Sequence, residues 1–528
     1  MTIEYPVGIK SIDESPISGL KHSDYHSDKI LHRTILISNF EQSKSMNDSQ
    51  FSELLETLHQ SNQITYLASN LNNQNLMIKD NIFPPISGFT FETNSSDDIY
   101  IWRWITMESP DFVIMANIGS EEKIGLYGFE DNHFIHNFLK STNSETNHFL
   151  KSLSEESNQS PGEIPSIELS GSFLQIKIHL ENLVKSINQS AVTISSARKE
   201  IQRRQQRTPN QVSKILSQVY GHKLDQPINY IQGVSISGRI RLSKLDQSHS
   251  KNIDDIPEFV SFLLDENNFI ENTKTGPNLA GICWADELSE ATSDQKWNDL
   301  IIKTADIYES RGEGCSPKPC DPDFGCEDMF FISTMLGRAY KISKNDTYLN
   351  MIINYLNDAN TQQKNGLFFH NRITPYFWGR GNGFAALAFA EALNYIPNNH
   401  PQKKILIEKH ISHINALIQV QSPTGMWRQV LDEEGSYQEL SATCMIGYAI
   451  TRGFKSGILK KDHMDSAIKA WKGTLSRIDD GGGLTDVCTG TGFQSKKSDY
   501  LYRKAEFGYD DRGGSMAIWF STEIENLI

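Results

Sequence analysis

The stretch YFWGRGNGFAALAFAEALNYIP, residues 376–397, contains a helix that is apolar on almost every side. Trp378, Arg380 and three glycines accompany the start of its run of Ala, Leu and Phe. A helix with no polar face has to be buried against other elements of the protein. The stretch therefore predicts an inner helix that has an aromatic ring and a permanent cation where it begins.

Apolar helices of this kind alternate with amphipathic, charged helices through the C-terminal part of the chain. They begin near Asn278, Asp328, Gly383 and Gln438, which is a repeat of roughly 50–55 residues. Such a repeat is typical of an array of helix pairs, in which the apolar member is buried and the amphipathic member lies outside.

About a dozen helices fit this scheme, so we expect an all-α (α/α)6 toroid, which is a six-hairpin barrel. An open solenoid of helix pairs is the alternative. We favour the closed ring because the loops before the inner helices are long and rich in Trp, Arg, Asp and Gly. Functional sites are usually built where such loops gather.

The chain has 528 residues, more than one core usually holds, and its first part follows another pattern. Short β-branched runs such as RTILISNF (33–40) alternate there with helical segments, which is typical of an α/β sheet domain. We therefore expect a multidomain protein, with an α/β domain at 1–185, a helical linker at 186–207 and the helical domain at 208–528.

The formal net charge is −15 and the sequence pI is near 5.5. This balance argues against a general nucleic-acid binder, because phosphate contacts need a basic face. It does not exclude an anionic substrate, since one or two local arginines can hold a carboxylate. No run approaches the ~20 apolar residues of a membrane span, and MTIEYPVGIKSIDESPISGL lacks the pattern of a signal peptide. We expect a cytoplasmic protein without a nucleic-acid or membrane partner, and the sequence does not indicate an oligomeric state.

Six cysteines in a chain of this length are too few for a disulfide framework, so we expect reduced thiols. Three of them, Cys315, Cys320 and Cys326, stand in CSPKPCDPDFGC. Their spacing fits no zinc pattern and lacks a matched second pair. We therefore predict no metal site and no other cofactor.

The segment DPDFGCEDMFFISTMLGRAY (321–340) places Glu327 and Asp328 at the start of a buried helix. A carboxylate held at the end of a cavity has its pKa raised by burial and lowered by the helix N-terminus, so it can give and retake a proton. Asp is also a good helix N-cap, which is the alternative role for Asp328.

Two further loops supply groups that could bind a sugar. His370 follows the apolar run of NGLFFHNR, where a purely structural role is the alternative. Trp378 offers a flat apolar face for a sugar ring, and Arg380 offers a planar fork for a carboxylate. The alternative for this second loop is a glycine-rich turn with a buried tryptophan.

The segment SPTGMWRQVLDEEGSYQELSATCM (422–445) repeats the Trp-Arg pair as Trp427 and Arg428 before another buried helix. FGYDDRGGSMA (507–517) adds Asp511, for which a surface salt bridge is the alternative. We expect these three residues to contact the substrate. Aromatic faces, carboxylates and arginines at the heads of several inner helices together indicate a site for an anionic carbohydrate.

Four segments occur in order along this region: CEDMFFISTMLGRAY, KNGLFFH, FWGRGNGFAALAFAEALNYIP and GMWRQVLDEEGSYQELSATCMIGYAITRGFKSGIL. They resemble segments of the unsaturated glucuronyl and rhamnogalacturonyl hydrolases, glycoside hydrolase families 88 and 105. The resemblance covers residues 270–528 well and 205–270 loosely. It implies the (α/α)6 toroid and an enzyme that releases a 4,5-unsaturated uronic acid from lyase-generated oligosaccharides.

The resemblance also implies the reaction. An acid protonates C4 of the double bond, water adds at C5, and the resulting hemiketal opens and releases the aglycone. Asp328 falls on the position of the aspartate that serves as acid and base. His370, Trp378, Arg380 and Phe384 align with active-site positions, and Phe384 stands where the family usually has tryptophan.

One position departs from the family's pattern. The family usually has a second active-site aspartate near the start of an earlier inner helix. The stretch TGPNLAGICWADEL has Pro277 and Asn278 at that place, and Asp286 lies a turn or more too far along. The loss of this carboxylate could change the exact substrate or the reaction relative to the family.

The N-terminal domain resembles, more weakly, the α/β fold of zinc carboxypeptidases. Those enzymes need a His-x-x-Glu pair after an early strand, because zinc requires nitrogen and carboxylate ligands close together. The stretch ISNFEQSKSMND supplies no histidine at that place. We therefore expect a metal-less, non-catalytic domain without peptidase activity, which has a binding or a supporting role.

These features favour a glycoside hydrolase acting on unsaturated uronyl oligosaccharides. One alternative is an inverting glycosidase that pairs Asp328 with Asp510 or Asp511, or a sugar epimerase, although epimerases on such rings would want paired histidines and His370 stands alone. The other alternative is a non-catalytic protein that binds saccharides. The aglycone sugar is not indicated.

Overall fold

The computed structural model describes residues 1–40, 46–71, 76–77, 83–84, 97–131, 133–142, 146–525 and 527. Backbone contacts divide the chain into two compact units. The first, here the N-terminal unit, consists of residues 1–206, 433–436 and 502–504; the second, the helical unit, consists of residues 207–432, 437–501 and 505–528. Residues 186–206 thus belong to the N-terminal unit.

The N-terminal unit is built on a seven-stranded sheet with the order β1-β4-β6-β5-β7-β9-β8. The strands β6, β5, β7 and β9 run parallel, whereas β1, β4 and β8 are antiparallel to their neighbours. A small hairpin of β2 and β3 lies apart from this sheet. The strands are β1 (Thr2–Glu4), β2 (Gly8–Ile9), β3 (Pro16–Ile17), β4 (Leu20–His22), β5 (His32–Ser38), β6 (Ile64–Asn70), β7 (Phe112–Ile118), β8 (Lys123–Tyr127) and β9 (Ser166–Gly171).

Helices cover this sheet, as the alternation of strands and helices predicts. Leu36 of β5, Tyr66 of β6 and Ile114 of β7 share a buried core with Leu54 and Leu180 from two amphipathic helices. Burial of these apolar side chains holds the layers together. The helices are α1 (Asp48–His59), α2 (Asp98–Glu108), α3 (His148–Leu153), α4 (Phe173–Asn188) and α5 (Ser196–Gln205). The expectation of an N-terminal α/β sheet domain is therefore confirmed.

The helical unit contains a set of buried helices. In α15, for example, every residue from Gly379 to Leu393 is buried, which is what its missing polar face predicts. The buried set comprises α7 (Tyr230–Leu245), α10 (Gly276–Leu279), α11 (Ala285–Thr292), α13 (Cys326–Ser343), α15 (Gly379–Tyr395), α17 (Leu440–Lys455) and α20 (Asp511–Ile524).

Amphipathic helices alternate with the buried set along the chain, and most of them pack against it. This outer set comprises α6 (Pro209–Ser217), α8 (Ile256–Val260), α9 (Glu266–Asn272), α12 (Lys296–Ala305), α14 (Asp346–Asp358), α16 (Lys403–Gln419) and α18 (Lys461–Ser476). The remaining elements are β10 (Trp427–Arg428), β11 (Gln438–Glu439), β12 (Leu484–Cys488), α19 (Lys497–Leu501) and β13 (Ala505–Gly508).

The buried helices contact one another in chain order. The helix α13 packs against α15, α15 against α17, and α17 against α20. The last of the set, α20, packs against the first, α7, and α7 also contacts α11. The heads of α13, α15, α17 and α20 all follow long loops, so the chemistry-bearing loops predicted from the sequence do precede buried helices.

The inner helix expected to begin near Asn278 is interrupted. It consists of α10, a short 3₁₀ turn at Ala280–Ile282 and then α11. The backbone here touches α7, because a Cβ at Gly233 would lie 2.4 Å from the carbonyl oxygen of Gly281. The tighter turn lies at this close approach, which the apolar pattern alone did not reveal. Across the described residues, no helix has the length and apolar character that crossing a membrane requires.

Candidate active site

Asp328 lies in the first turn of α13 and is only 7% exposed. Its Oδ2 accepts a hydrogen bond from the backbone N–H of Asp321 at 2.8 Å. Burial raises the pKa of this carboxyl to about 7; the Asp321 N–H opposes the rise, and the negative charges of Glu327 and Asp321 add to it. A group with a pKa near neutrality can both donate and accept a proton under working conditions.

The other carboxyl oxygen of Asp328 faces Gly276, the first residue of α10. A Cβ at this glycine would lie 2.5 Å from Oδ1, closer than real contacts permit. The absence of a side chain at position 276 therefore leaves the oxygen Oδ1 unobstructed by its neighbour. A substituent there would have to displace the acid.

The position of the missing second aspartate carries no acid in the described structure. Asn278 instead joins two segments, since its Nδ2 donates to the carbonyl of Ile228 at 2.6 Å and its Oδ1 accepts from Thr275. Asp286, the next acid along, is buried and forms an ion pair with Arg338 of α13. Neither side chain supplies a second carboxylate beside Asp328.

His370 is fully buried, and both of its ring nitrogens have partners. Nε2 lies 2.9 and 3.1 Å from the two carboxylate oxygens of Glu327. Nδ1 lies 2.5 Å from the hydroxyl of Tyr500. The structure thus brings His370 into contact with Glu327, the first of the two acids at the start of α13.

Trp378 packs its ring against His370, with the ring centroids 4.6 Å apart. The indole is 1% exposed, and a Cβ at Gly381 would lie 3.1 Å from it. The open apolar face expected for stacking on a sugar is therefore covered. Trp378 supports the histidine, whereas its Nε1 is buried with no hydrogen-bond partner among the described residues.

Arg380 does not present a free fork, which corrects the sequence expectation. Its Nε donates to the Ser441 hydroxyl at 2.8 Å, and its Nη2 donates to the carbonyl of Cys488 and lies 3.6 Å from the Glu439 carboxylate. Arg380 as a whole is 2% exposed. Because buried partners already hold its donors, Arg380 ties α15 to α17 and β12 instead of reaching a ligand.

Phe384 and Trp427 are also core residues. Phe384 is 1% exposed and packs among Phe331 and Tyr230, with ring centroids 5.8 and 5.5 Å away. Trp427 is fully buried, and its Nε1 donates to the carbonyl of Leu417 on α16 at 2.7 Å. The indole of Trp427 thus points towards the outer helix, which corrects its expected substrate contact.

Arg428 and Asp511 are less enclosed. Arg428 is half-buried on β10, and its backbone carbonyl leaves no room for a Cβ at Gly379. The glycine at the head of α15 therefore serves this backbone contact. Asp511 accepts a hydrogen bond from Gln232 at 3.1 Å and lies 3.5 Å from the ammonium group of Lys223.

Tyr230 is a site candidate that the sequence analysis missed. It begins α7, and its partly exposed ring packs on Phe331 at 5.0 Å. Burial raises the pKa of its hydroxyl to about 12, with Arg380 acting against the rise and Glu327, Arg512 and Asp510 also within electrostatic reach. Charges from α13, α15 and α20 thus converge on one phenol. The segment around Tyr230 carries no motif that could have revealed it.

Phe493 is the second missed residue. Its ring is 42% exposed, and its centroid lies 4.5 Å from that of His370. Gly490 and Gly492 precede it in a loop that returns over the head of α13, where a Cβ at Gly325 would lie 2.7 Å from the phenyl ring. An exposed aromatic edge beside the acids is a suitable contact for a sugar.

The cysteines near the acids are free thiols. Cys315 is exposed, whereas burial raises the pKa of the Cys320 and Cys326 thiols well above the usual range. Among the residues that the structure describes, no group of three or more His, Cys, Asp or Glu side chains is placed to hold a metal ion.

Comparisons with known proteins agree on the helical unit. The model of Glycosyl Hydrolase Family 88 matches residues 200–528. The unsaturated rhamnogalacturonyl hydrolase YesR of Bacillus subtilis (strain 168) is 31% identical over 130 residues, which are 25% of this chain and 36% of that protein. An unsaturated 3S-rhamnoglycuronyl hydrolase of Alteromonas sp. (strain LOR) is 30% identical over 111 residues, 20% of this chain and 27% of that protein. The matched regions thus span about a third of these curated relatives.

Solved structures share the fold. A family 105 glycoside hydrolase of C. acetobutylicum ATCC 824 superposes with a TM-score of 0.52 and 21% identity, covering 59% of this chain and 99% of that one. A possible family 105 member from Salmonella enterica serovar Paratyphi A gives a TM-score of 0.51 and 21% identity, covering 63% of this chain and 95% of that one. At this identity, the likeness concerns the fold alone.

Proposed function

The chain belongs to glycosyl hydrolase family 88, and we propose that it releases a 4,5-unsaturated uronic acid from lyase-generated oligosaccharides by hydrating a vinyl ether. The observation that carries this proposal is Asp328, a buried carboxyl with a pKa near 7 whose Oδ1 faces a glycine. The relatives are named as unsaturated rhamnogalacturonyl and rhamnoglycuronyl hydrolases, which supports the same substrate class.

In the proposed reaction, Asp328 first acts as the acid. It gives its proton to C4 of the double bond, and the ring oxygen stabilises the positive charge that develops at C5. Water then adds at C5 and returns a proton to the Asp328 carboxylate, which restores the acid. The hemiketal opens to a keto sugar and releases the aglycone alcohol. A carboxyl with a pKa near the working pH suits both steps.

The carboxylate of the sugar needs a cation other than Arg380. Arg512 is the candidate, because its side chain is 30% exposed and one edge of its guanidinium faces Gly490, where a Cβ would lie 3.6 Å from Nη2. Its Nη1 is held by Asp510 at 2.5 Å, which fixes the orientation of the fork. A planar guanidinium binds a carboxylate through two parallel hydrogen bonds.

The architecture around the site is part of the proposal. Six helix pairs would close into an (α/α)6 toroid, and the packing of α20 against α7 supports closure of the ring. We also propose the expected domain limits, an N-terminal domain that is not catalytic, and a cytoplasmic location. The stretch ISNFEQSKSMND, in which a metal-binding histidine was sought, includes residues 41–45, and these lie outside the described residues.

Turnover of a lyase-generated unsaturated disaccharide tests the function, with loss of the ultraviolet absorbance of the double bond as the readout. Wild type should consume the substrate, and Asp328→Asn should lower kcat by at least about a thousandfold because it removes the proton donor. Asp465→Asn, on the exposed face of α18, is the matched control and should retain activity.

The same assay separates the alternatives. Release of sugar without loss of the double-bond absorbance would indicate an ordinary glycosidase, and epimerised sugar without release would indicate an epimerase. Binding without any turnover would indicate a saccharide-binding protein. Equal activity of wild type and Asp328→Asn would contradict the role of Asp328.

A further inference from the structure

A chain of hydrogen bonds leads from a surface loop to the acid pair at the head of α13. The backbone N–H of Gln494 donates to the Tyr500 hydroxyl at 3.1 Å, and that hydroxyl lies 2.5 Å from His370 Nδ1. The phenol can also donate its own proton to Nδ1, in which case Nδ1 accepts. The remaining ring proton is then on Nε2 and points at Glu327.

This arrangement fixes the side chain of Glu327. The ring nitrogen Nε2 of His370 lies 2.9 and 3.1 Å from its two oxygens, so both oxygens accept from the same ring N–H in this tautomer. The backbone fixes the same contact, since the N–H of Cys326 donates to the carbonyl of His370 at 2.9 Å. Glu327 is therefore held in place from both its side chain and its helix.

Glu327 also differs from Asp328 in exposure. Its side chain is 20% exposed, whereas Asp328 is 7% exposed and has no cation among its hydrogen-bond and ion-pair partners in the described structure. The titratable groups that act on Asp328 or respond to its charge come from its own helix, the preceding loops and α14. They are Glu327, Cys320, Asp321, Tyr308 and Tyr355.

We propose that Glu327 is a positioning residue of the reaction: its carboxylate holds His370 in one orientation, and its negative charge adds to the burial that keeps Asp328 protonated. This inference rests on the proposed function. Asp328 needs its proton for the first step, and a neighbouring carboxylate disfavours the loss of that proton. In this way Glu327, one residue before Asp328, compensates for the acid that is missing near Asn278.

A purely structural role for Glu327 makes a different prediction. An acid in the first turn of a helix interacts favourably with the helix dipole. If that were its only effect, replacing it would lower stability and leave the pH dependence of turnover unchanged. The pH profile therefore distinguishes the two roles.

The decisive variant is Glu327→Gln, because glutamine is isosteric and its oxygen can still accept from Nε2–H. The alkaline limb of kcat/KM for the unsaturated disaccharide should move down by roughly 0.5–1 pH unit, since one like charge beside Asp328 is lost. Activity above the limb should fall about three- to tenfold. Glu327→Asp retains the charge and should leave the limb near the wild-type position.

Glu408→Gln, on the exposed side of α16, is the matched control and should leave the profile unchanged. A ¹³C titration of the Asp328 carboxyl, assigned with Asp328→Asn, measures the same shift without turnover. If Glu327→Gln leaves both the limb and this titration where they are in wild type, the proposal is wrong. If wild type does not consume the disaccharide, the proposed function fails, and the carboxyl titration alone decides the role of Glu327.

Discussion

At the scale of single residues, Asp328 and Glu439 show that position in a helix does not determine the role of an acid. Both stand at the head of a buried helix. Glu439 accepts hydrogen bonds from the N–H groups of Ala442 and Cys488 and lies near Arg380. Asp328 has a single backbone donor and acidic neighbours. Hydrogen bonds and cations stabilise a carboxylate, whereas burial without them favours the protonated acid.

The environment of Asp328 predicts a pH-dependent cost in stability. The folded pKa of about 7 lies above the unfolded value of 3.8, so the folded protein binds more protons between these values. Stability contributed by the neutral form is present below pH 4 and is lost as the pH rises to 7. Asp328→Asn, which cannot ionise, should therefore be more stable than wild type at pH 8, by roughly 2–4 kcal/mol at most.

Thermal or urea unfolding of both proteins at pH 4.5 and pH 8 measures this difference. The advantage of the variant should be small at the lower pH and larger at the higher one. A constant difference between the two proteins at both values would mean that the carboxyl of Asp328 does not titrate as described.

At the scale of elements, Arg380 and Arg512 are arginines near the heads of buried helices with opposite surroundings. Arg380 is 2% exposed and joins α15, α17 and β12. The Arg512 side chain is 30% exposed at the start of α20. A buried cation next to a buried carboxylate cannot be removed without leaving an unpaired charge. Arg380 therefore has a structural role, and Arg512 is the arginine proposed to bind the substrate.

The two arginines predict a contrasting pair of variants. Arg380→Ala leaves the fully buried Glu439 unpaired and should reduce the free energy of unfolding by roughly 3–5 kcal/mol. Arg512→Ala should keep the fold and raise KM about ten- to a hundredfold, as expected for the loss of a charge-assisted hydrogen bond. Calorimetry and steady-state kinetics on both variants separate the effects. A stable Arg380→Ala protein with only a raised KM would reinstate the role predicted from the sequence.

The sequence predicted where the helices of the site begin more accurately than it predicted which groups the side chains of the site contact. The starts of α13, α15 and α17 lie within four residues of the predicted starts, because apolar periodicity is a local property. The broken helix of α10 and α11 was not foreseen, since the close contact of Gly281 with Gly233 joins distant parts of the chain. Tyr230 and Phe493 were missed for the same reason.

At the scale of the whole helical unit, Trp519 lies where the last buried helix meets the first. It is fully buried, and its Nε1 donates to the hydroxyl of Ser237 on α7 at 3.1 Å. The guanidinium of Arg241, also on α7, lies 4.2 Å from its ring centroid, and Tyr448 of α17 stacks on it at 5.2 Å. One side chain thus connects three buried helices.

Replacing this side chain should loosen the contact between α20 and α7. Trp519→Ala is expected to lower the free energy of unfolding by roughly 3–5 kcal/mol, through lost burial and the cavity that remains. Amide hydrogen exchange should show reduced protection within residues 230–245. Trp471→Ala, which removes a buried ring between α18 and α20, is the matched control and should leave that segment protected. Unchanged protection of α7 in Trp519→Ala would contradict the proposed closure of the ring between α20 and α7.

The sequence by itself determined the α/β domain followed by alternating buried and outer helices, the family, and the placement of Asp328 at the head of a buried helix. These follow from periodicity and from short motifs, which depend on neighbours along the chain. Only the tertiary structure decided that Arg380 is held by Glu439, that Trp378 is covered, and that His370 is held between Glu327 and Tyr500. Burial, partners and pKa depend on segments that folding brings together, so residue type and spacing could not specify them.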